Sequence, residues 1–187
     1  NVPILYPPKP GAFGPLGQHL APPKRSSMTA PVLPFDPETL LLSVDAAREA
    51  GRMAADRYRV TKPYPHGCFD NFIDPAILER VTEELRTLPE AETFFNSPQE
   101  KLKTSYMPER LAPYTRSLFY ALNARPFLTF LEELTGIQGL IPDPYFAGGG
   151  IHVVANGGHL DIHADFNHHG KLNLERRINV LIYLNKD

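Results

Sequence analysis

At 187 residues the chain is long enough to bury one sizeable core. Its 19 basic and 21 acidic residues leave a net charge of −2, which gives no electrostatic reason to expect nucleic acid or an anionic membrane as a partner. Cys68 is the one cysteine, so an intrachain disulfide framework is excluded and a reducing compartment, the cytoplasm, is expected. No apolar run reaches the roughly 18 residues of a membrane-spanning helix, and no basic segment followed by an apolar one marks a secretory signal.

Residues 1–36 hold nine of the 20 prolines, with Gly11, Gly14 and Gly17 among them. Proline fixes φ and lacks an N–H, so this stretch predicts a disordered or extended arm, with a proline-rich docking ligand as the functional alternative. The chain begins at Asn1, while Met28-Thr29-Ala30-Pro31 would make an ordinary translation start. Residues 1–27 therefore read as an appended or upstream segment. A domain over 37–187 follows, helical over 37–136.

Asp36-Pro37-Glu38 predicts a helix start, with Leu40, Leu41, Val44 and Ala47 at helical spacing and an end near Tyr58. Gly67 to Phe72 reads as a short strand carrying Cys68 as a small buried apolar side chain. Asp74-Pro75 opens a helix to about Leu88. Ile77, Leu78, Val81 and Leu85 make its apolar stripe, and Glu79, Arg80, Glu83 and Glu84 its solvated face. Ser97-Pro98-Gln99-Glu100 has the pattern of a capping box and predicts a further short helix, while 89–96 and 103–112 read as loops. Pro113 to Asn123 predicts a helix, as does Arg125 to Gly136, where Phe127, Phe130, Leu131 and Leu134 recur at helical spacing. Their simplest role is core packing.

From Gly139 the texture becomes strand-like. Phe146–Ala155 and His159–Asp165 predict two strands joined by a hairpin at Asn156-Gly157-Gly158. Gly148-Gly149-Gly150 lacks phosphate-loop spacing and reads as a bulge or a close backbone approach. Ile178 to Leu184 predicts a buried strand. Ile178, Val180, Ile182 and Leu184 form its core face; Asn179, Leu181 and Tyr183 form the wall of a pocket. The pattern as a whole is α+β.

The chemistry concentrates in GGHLDIHADFNHHG, residues 157–170, within a region from His152 to His169 that holds five of the seven histidines. His163-Ala164-Asp165 is an H-x-D. On an extended backbone its imidazole and carboxylate share a face, and they are two of the three groups of a 2-His-1-carboxylate iron site. Asp161 is on the same face and is the rival carboxylate. His159 would lie about 13 Å along the strand, too far to share a metal. The competing readings are a hydrogen-bonded structural histidine for His163, a turn residue for Asp165, a core tyrosine for Tyr183, a structural hydrogen-bonder for Asn179, and strand-edge charges for Arg176 and Arg177.

The succession HADFN then RRINVLIYLNKD, preceded by GLIPDP and AGGGIHVV, resembles the 2-oxoglutarate- and Fe(II)-dependent oxygenases, specifically their prolyl-hydroxylase-like branch. The resemblance covers roughly 64–187 and is strongest from 136 onward. It implies N-terminal helices packed on a double-stranded β-helix, a jelly-roll barrel beginning at 137–187. It further implies Fe(II) on His163 and Asp165, 2-oxoglutarate as cosubstrate held through Tyr183 with Asn179 and Leu181 beside it, O2 as the oxidant, and His152 facing cosubstrate or substrate. The implied reaction is hydroxylation of a C–H, on a protein prolyl residue or a small molecule, with decarboxylation of 2-oxoglutarate to succinate. In the family a third ligand, a histidine, and a basic 2-oxoglutarate anchor follow on later strands. Both would fall past residue 187, so the chain reads as an oxygenase cut within its barrel, with an open edge that invites pairing with another chain. His168 and His169 are solvated loop residues in this reading. The alternatives are a cupin-type metalloenzyme that does not use 2-oxoglutarate, and a non-catalytic barrel acting as a binding module.

Overall fold

The structure, a computed structural model, describes residues 30–88, 93–147 and 149–185; most of the proline-rich arm, residues 1–29, lies outside them. It is a mixed α+β arrangement of four α-helices and two small antiparallel sheets among the described residues. No closed barrel is formed by these residues, and none of their helices is long and apolar enough to cross a membrane.

The core begins earlier than the arm assignment expects. Val32 and Leu33 donate their N–H groups to the carbonyls of Asn71 (3.0 Å) and Phe72 (2.9 Å), and Leu33 and Phe35 are buried. Residues 30–36 are thus packed chain. Asp36 does not open a helix. Its Oδ1 accepts from the N–H and hydroxyl of Thr39, both at 2.7 Å, closing a turn, and Leu40 leaves that turn at a left-handed φ of 57°. The helix α1, Val44–Val60, starts instead behind Ser43, whose hydroxyl accepts from Ala46 N–H. The expected strand over 67–72 is also absent: Asn71 at φ 52° breaks the extended run, leaving one bridge between Leu33 and Ile73. Cys68 is exposed, not buried.

Helix α2, Pro75–Leu85, is capped by Asp74 as the sequence predicts, and it buries Ile77 and Val81. Its polar face is not all solvated. Glu84 accepts from the hydroxyl and N–H of Thr115 (2.6 and 2.7 Å) and from Tyr114 N–H (3.3 Å), tying α2 to α3, Pro113–Ala121. Arg80 lies 3.9 Å over the Tyr114 ring. Burial pushes the Glu84 carboxyl up, but these hydrogen bonds outweigh it and hold it below the ordinary glutamate value. The folded value is below the unfolded one. The stability Glu84 contributes is therefore complete above the unfolded value and is lost as pH falls through the folded one. Urea midpoints measured down an acid series should fall less steeply for Glu84→Gln than for the parent; parallel curves would refute this.

Helix α4, Arg125–Thr135, carries Phe127, Phe130, Leu131 and Leu134 into the core and ends at Gly136 in the left-handed conformation. It packs along α1, and Gly51 is where the two backbones meet. A Cβ there would stand 2.6 Å from the Phe130 carbonyl oxygen and 2.8 Å from Glu133 Cβ. Alanine would add about 1 kcal/mol of helix propensity, but overpacking against rigid backbone costs about 1–3 kcal/mol. Gly51→Ala is expected to lower stability in urea unfolding, and a raised midpoint would show that the helices can part at little cost.

Ser97–Glu100 is not a helix start. Ser97 N–H donates to the Glu100 carbonyl (2.7 Å) and Glu100 N–H to Ser97 Oγ (3.2 Å), closing a hairpin between β1, Thr93–Phe95, and β2, Glu100–Tyr106. The stretch read as loop from 103 is therefore strand as far as Tyr106. β2 pairs antiparallel with β3, Ile151–Leu160, in the order β1-β2-β3. The Asn-Gly-Gly signal does not make a hairpin. Lys103 faces Val154 and Lys101 faces His159, so the extra residues of β3 bulge out, with Gly157 at φ 81°. Gly150 is in close approach to the Tyr106 carbonyl, as the glycine run suggests; Gly148 lies outside the described residues. β3 ends at Leu160, so the expected strand over 159–165 is irregular chain beyond that point.

A second sheet, β4 (His168–His169) with β5 (Leu174–Glu175), turns the chain back on itself. Residues 176–185 follow without ladder partners among the described residues. Their faces are nevertheless those expected. Ile178, Val180, Ile182 and Leu184 pack against the helical core, while Asn179 and Tyr183 are exposed.

Candidate metal centre

The β4–β5 hairpin builds the site. Arg176 N–H donates to the Asn167 carbonyl at 2.8 Å, which sets residues 176–179 beside 163–165. Asp165 Oδ2 then accepts from Arg176 Nη2 (3.1 Å) and Asn179 Nδ2 (3.0 Å). The Arg176 guanidinium in turn lies 4.6 Å over the Phe166 ring. One oxygen of the carboxylate is held by two donors, and the other, Oδ1, faces His163 Nε2 at 3.6 Å.

The imidazole is fixed in a complementary way. His163 Nδ1 is 2.8 Å from the Asp161 carbonyl oxygen. A carbonyl only accepts, so in the neutral ring Nδ1 carries the proton and Nε2 keeps a lone pair. Histidines that bind metals are oriented by this kind of bond from the second nitrogen. The two atoms that could bind a cation, Nε2 and Oδ1, are thus the two left facing each other, and both side chains are partly open to solvent. A neutral imidazole with a carboxylate is a donor set that suits Fe(II). The residues fit a metal in the role the resemblance implies, as two ligands. Among the described residues no group of three or more His, Cys, Asp and Glu side chains is placed to hold an ion.

The other residues singled out fall into place around this pair or away from it. Asp161, the rival carboxylate, is turned toward His159, its Oδ1 3.9 Å from His159 Nε2, and contributes only its backbone carbonyl to His163. Asn179 joins the pair by holding Asp165. Leu181 is half-buried and Tyr183 half-exposed. Burial, with Cys68 adding to it, raises the Tyr183 phenol above its ordinary value. His152 is buried on β3, opposite Ser105. His169 is not a solvated loop residue. It is buried, its Nδ1 accepts from Leu172 N–H (3.2 Å), and Tyr145 and Phe166 flank the ring.

Arg176 is the residue that sequence reading misses, having been taken as an edge charge. A signal was present: Arg176 is in phase with Ile178 and Val180, and a cation on the core-facing phase of a strand needs a buried partner.

Comparison of the chain with family models, with curated proteins and with solved structures finds no match.

Proposed function

We propose that this chain belongs to a 2-oxoglutarate- and Fe(II)-dependent dioxygenase that hydroxylates a substrate C–H, peptidyl proline or a small molecule, and that β2, β3 and residues 176–184 are strands of a jelly-roll barrel. The observation that carries the reading is the paired geometry of His163 and Asp165. Each side chain has one atom tied by the protein and one left facing its partner at 3.6 Å. His163 offers Nε2, because its other nitrogen is spent on the Asp161 carbonyl. Asp165 offers Oδ1, because Arg176 and Asn179 neutralise and orient Oδ2. Iron held by His163 and Asp165 would supply the O2 chemistry, one oxygen atom going to the substrate C–H and the other to 2-oxoglutarate as it becomes succinate and CO2. The protein's share is orientation and the exclusion of competing donors. The resemblance puts a third ligand on a later strand. Ile178, Val180, Ile182 and Leu184 pack on the helical core while Asn179 and Tyr183 are exposed, which supports a strand with one face on that core.

One observation favours a second reading, a jelly-roll metalloenzyme that does not use 2-oxoglutarate: Tyr183, the expected cosubstrate anchor, is half-exposed. Anaerobic titration with Fe(II), followed by a succinate assay on adding 2-oxoglutarate and air, separates the two. Iron binding with iron-dependent succinate release supports the dioxygenase. Iron binding without succinate favours the second reading, and no iron binding overturns both.

A further inference from the structure

The Asn156-Gly157-Gly158 motif closes no hairpin; it forms the bulge of β3. Between the ladder pairs Lys103–Val154 and Lys101–His159, the residues from Ala155 to Gly158 face Leu102 alone, and Leu102 itself takes a left-handed φ of 52°. A bulge leaves its extra residues without a cross-strand partner and disrupts the ladder around them. Asn156 and Gly157 are both exposed, and no hydrogen bond to another described residue holds the Asn156 side-chain amide. Gly157 is left-handed, at φ 81°, and the space on its Cβ side is open, with nothing within 4 Å. Gly158 is the packed member of the motif: a Cβ there would stand 2.5 Å from the Lys101 carbonyl oxygen. The close approach to β2 is thus made by Gly158, and the Asn156–Gly157 peptide lies at the surface.

That setting permits a reaction that packing spares most asparagines. The backbone nitrogen of Gly157, on losing its proton, attacks Cγ of Asn156. The new N–Cγ bond closes a five-membered imide, and the side-chain nitrogen leaves as ammonia. Water then opens the ring at either carbonyl, giving aspartate, or isoaspartate in which the chain runs through the side-chain carbon. No oxidant, reductant or cofactor enters. A side chain on the following residue crowds the forming ring, and glycine has none. Asn156 alone among the asparagines precedes a glycine. Asn123 and Asn179 are moreover tied by their amides, to the Asp143 carbonyl at 2.9 Å and to Asp165 Oδ2 at 3.0 Å.

We propose that Asn156 is a modification site, deamidated spontaneously in the folded chain through a cyclic imide to aspartyl and isoaspartyl forms. The product puts a negative charge on β3, whose sequence IHVVANGGHL carries no Asp, Glu, Lys or Arg, opposite a strand that holds Lys101 and Lys103. The isoaspartyl form also adds a methylene to the backbone ahead of Asp161, whose carbonyl orients His163. None of this depends on the dioxygenase reading, since no metal enters the argument.

The test follows the chain with time at one mildly alkaline pH, folded and in guanidinium chloride, by proteolytic peptide mapping with mass spectrometry. The peptide containing Asn156 should gain the mass of an amide-to-acid change before any other asparagine peptide, as two separable acidic products. Its rate in the folded chain should be within about tenfold of the unfolded rate, or about 1.4 kcal/mol of added barrier, and should rise with pH because the attacking nitrogen must lose its proton. Asn156→Gln should show no gain on this timescale, since its ring would have six members. Earlier reaction at another asparagine, protection by the fold beyond about tenfold, or a single aspartyl product would overturn the proposal. The folded and unfolded parent chains make the comparison without any variant.

Discussion

His163→Ala should abolish Fe(II) binding, and Asn179→Ala should weaken it by about 10–100-fold while leaving the fold intact. The two effects differ because the residues act differently. His163 offers its lone pair directly, and alanine leaves nothing in its place. Asn179 touches only Asp165 Oδ2, at 3.0 Å, a bond shared with Arg176 at 3.1 Å. Without it the carboxylate keeps one donor and its ligand atom but has more freedom to rotate away from Nε2. Asp165→Asn offers a sharper control. The amide keeps the shape, loses the charge, and presents an N–H₂ to Arg176 or to the cation, so it should fall with His163→Ala and not with Asn179→Ala. Because the ligands must be a neutral imidazole and an ionised carboxylate, binding should also weaken as pH falls. Equilibrium dialysis of iron against the three variants at two pH values checks all of this. If Asn179→Ala lost as much as His163→Ala, the amide would be a ligand and the assignment of roles would be wrong.

The local chemistry of helix starts was legible. Asp74-Pro75 caps α2 as read, because an aspartate oxygen on an N–H two residues on needs nothing from elsewhere in the chain. The helices from Pro113 and Arg125 were equally local. The same local chemistry misled at Ser97. A serine exchanging hydrogen bonds with the residue three ahead is what a capping box and a tight turn have in common. What decides between them is β3, whose Val153 faces Thr104 across 49 residues of chain. β2, EKLKTSY, is mostly polar, so nothing in its own composition announced a strand.

The site divides along the same line. The H-x-D pair could be picked out because residue types and spacing carry the chemistry. His163 and Asp165 face each other at 3.6 Å, but from a backbone that is irregular after Leu160 and not from a strand. That Arg176 and Asn179 bond to Asp165 could not be read from the sequence, since they reach it only after the β4–β5 hairpin has reversed the chain. The hairpin rests on a two-residue ladder whose partners are His168 with Glu175 and His169 with Leu174. Neither pair resembles a strand signal.

Phe130→Ala should be the most damaging single change to stability, lowering it by about 3–5 kcal/mol. Phe130 is 1% exposed, and its ring meets those of Phe69 (6.1 Å), Phe72 (5.6 Å) and Phe127 (5.9 Å). Aromatic pairs of this kind add about 0.5–1.5 kcal/mol beyond the area they bury. Its backbone carbonyl is also the group against which Gly51 seats α1, so this residue joins the N-terminal packing to α4. The vacated space cannot collapse easily, because α1 and α4 already touch backbone to backbone. Domains of this size have roughly 5–15 kcal/mol in all, so the loss is a large fraction of the total. Phe94, 58% exposed on β1, is the control: its replacement by alanine should stay within about 0.5 kcal/mol. Urea unfolding of both variants gives the comparison. A Phe130→Ala loss below about 1 kcal/mol would mean that the aromatic cluster, against whose core Ile178 and Val180 pack, is not closed.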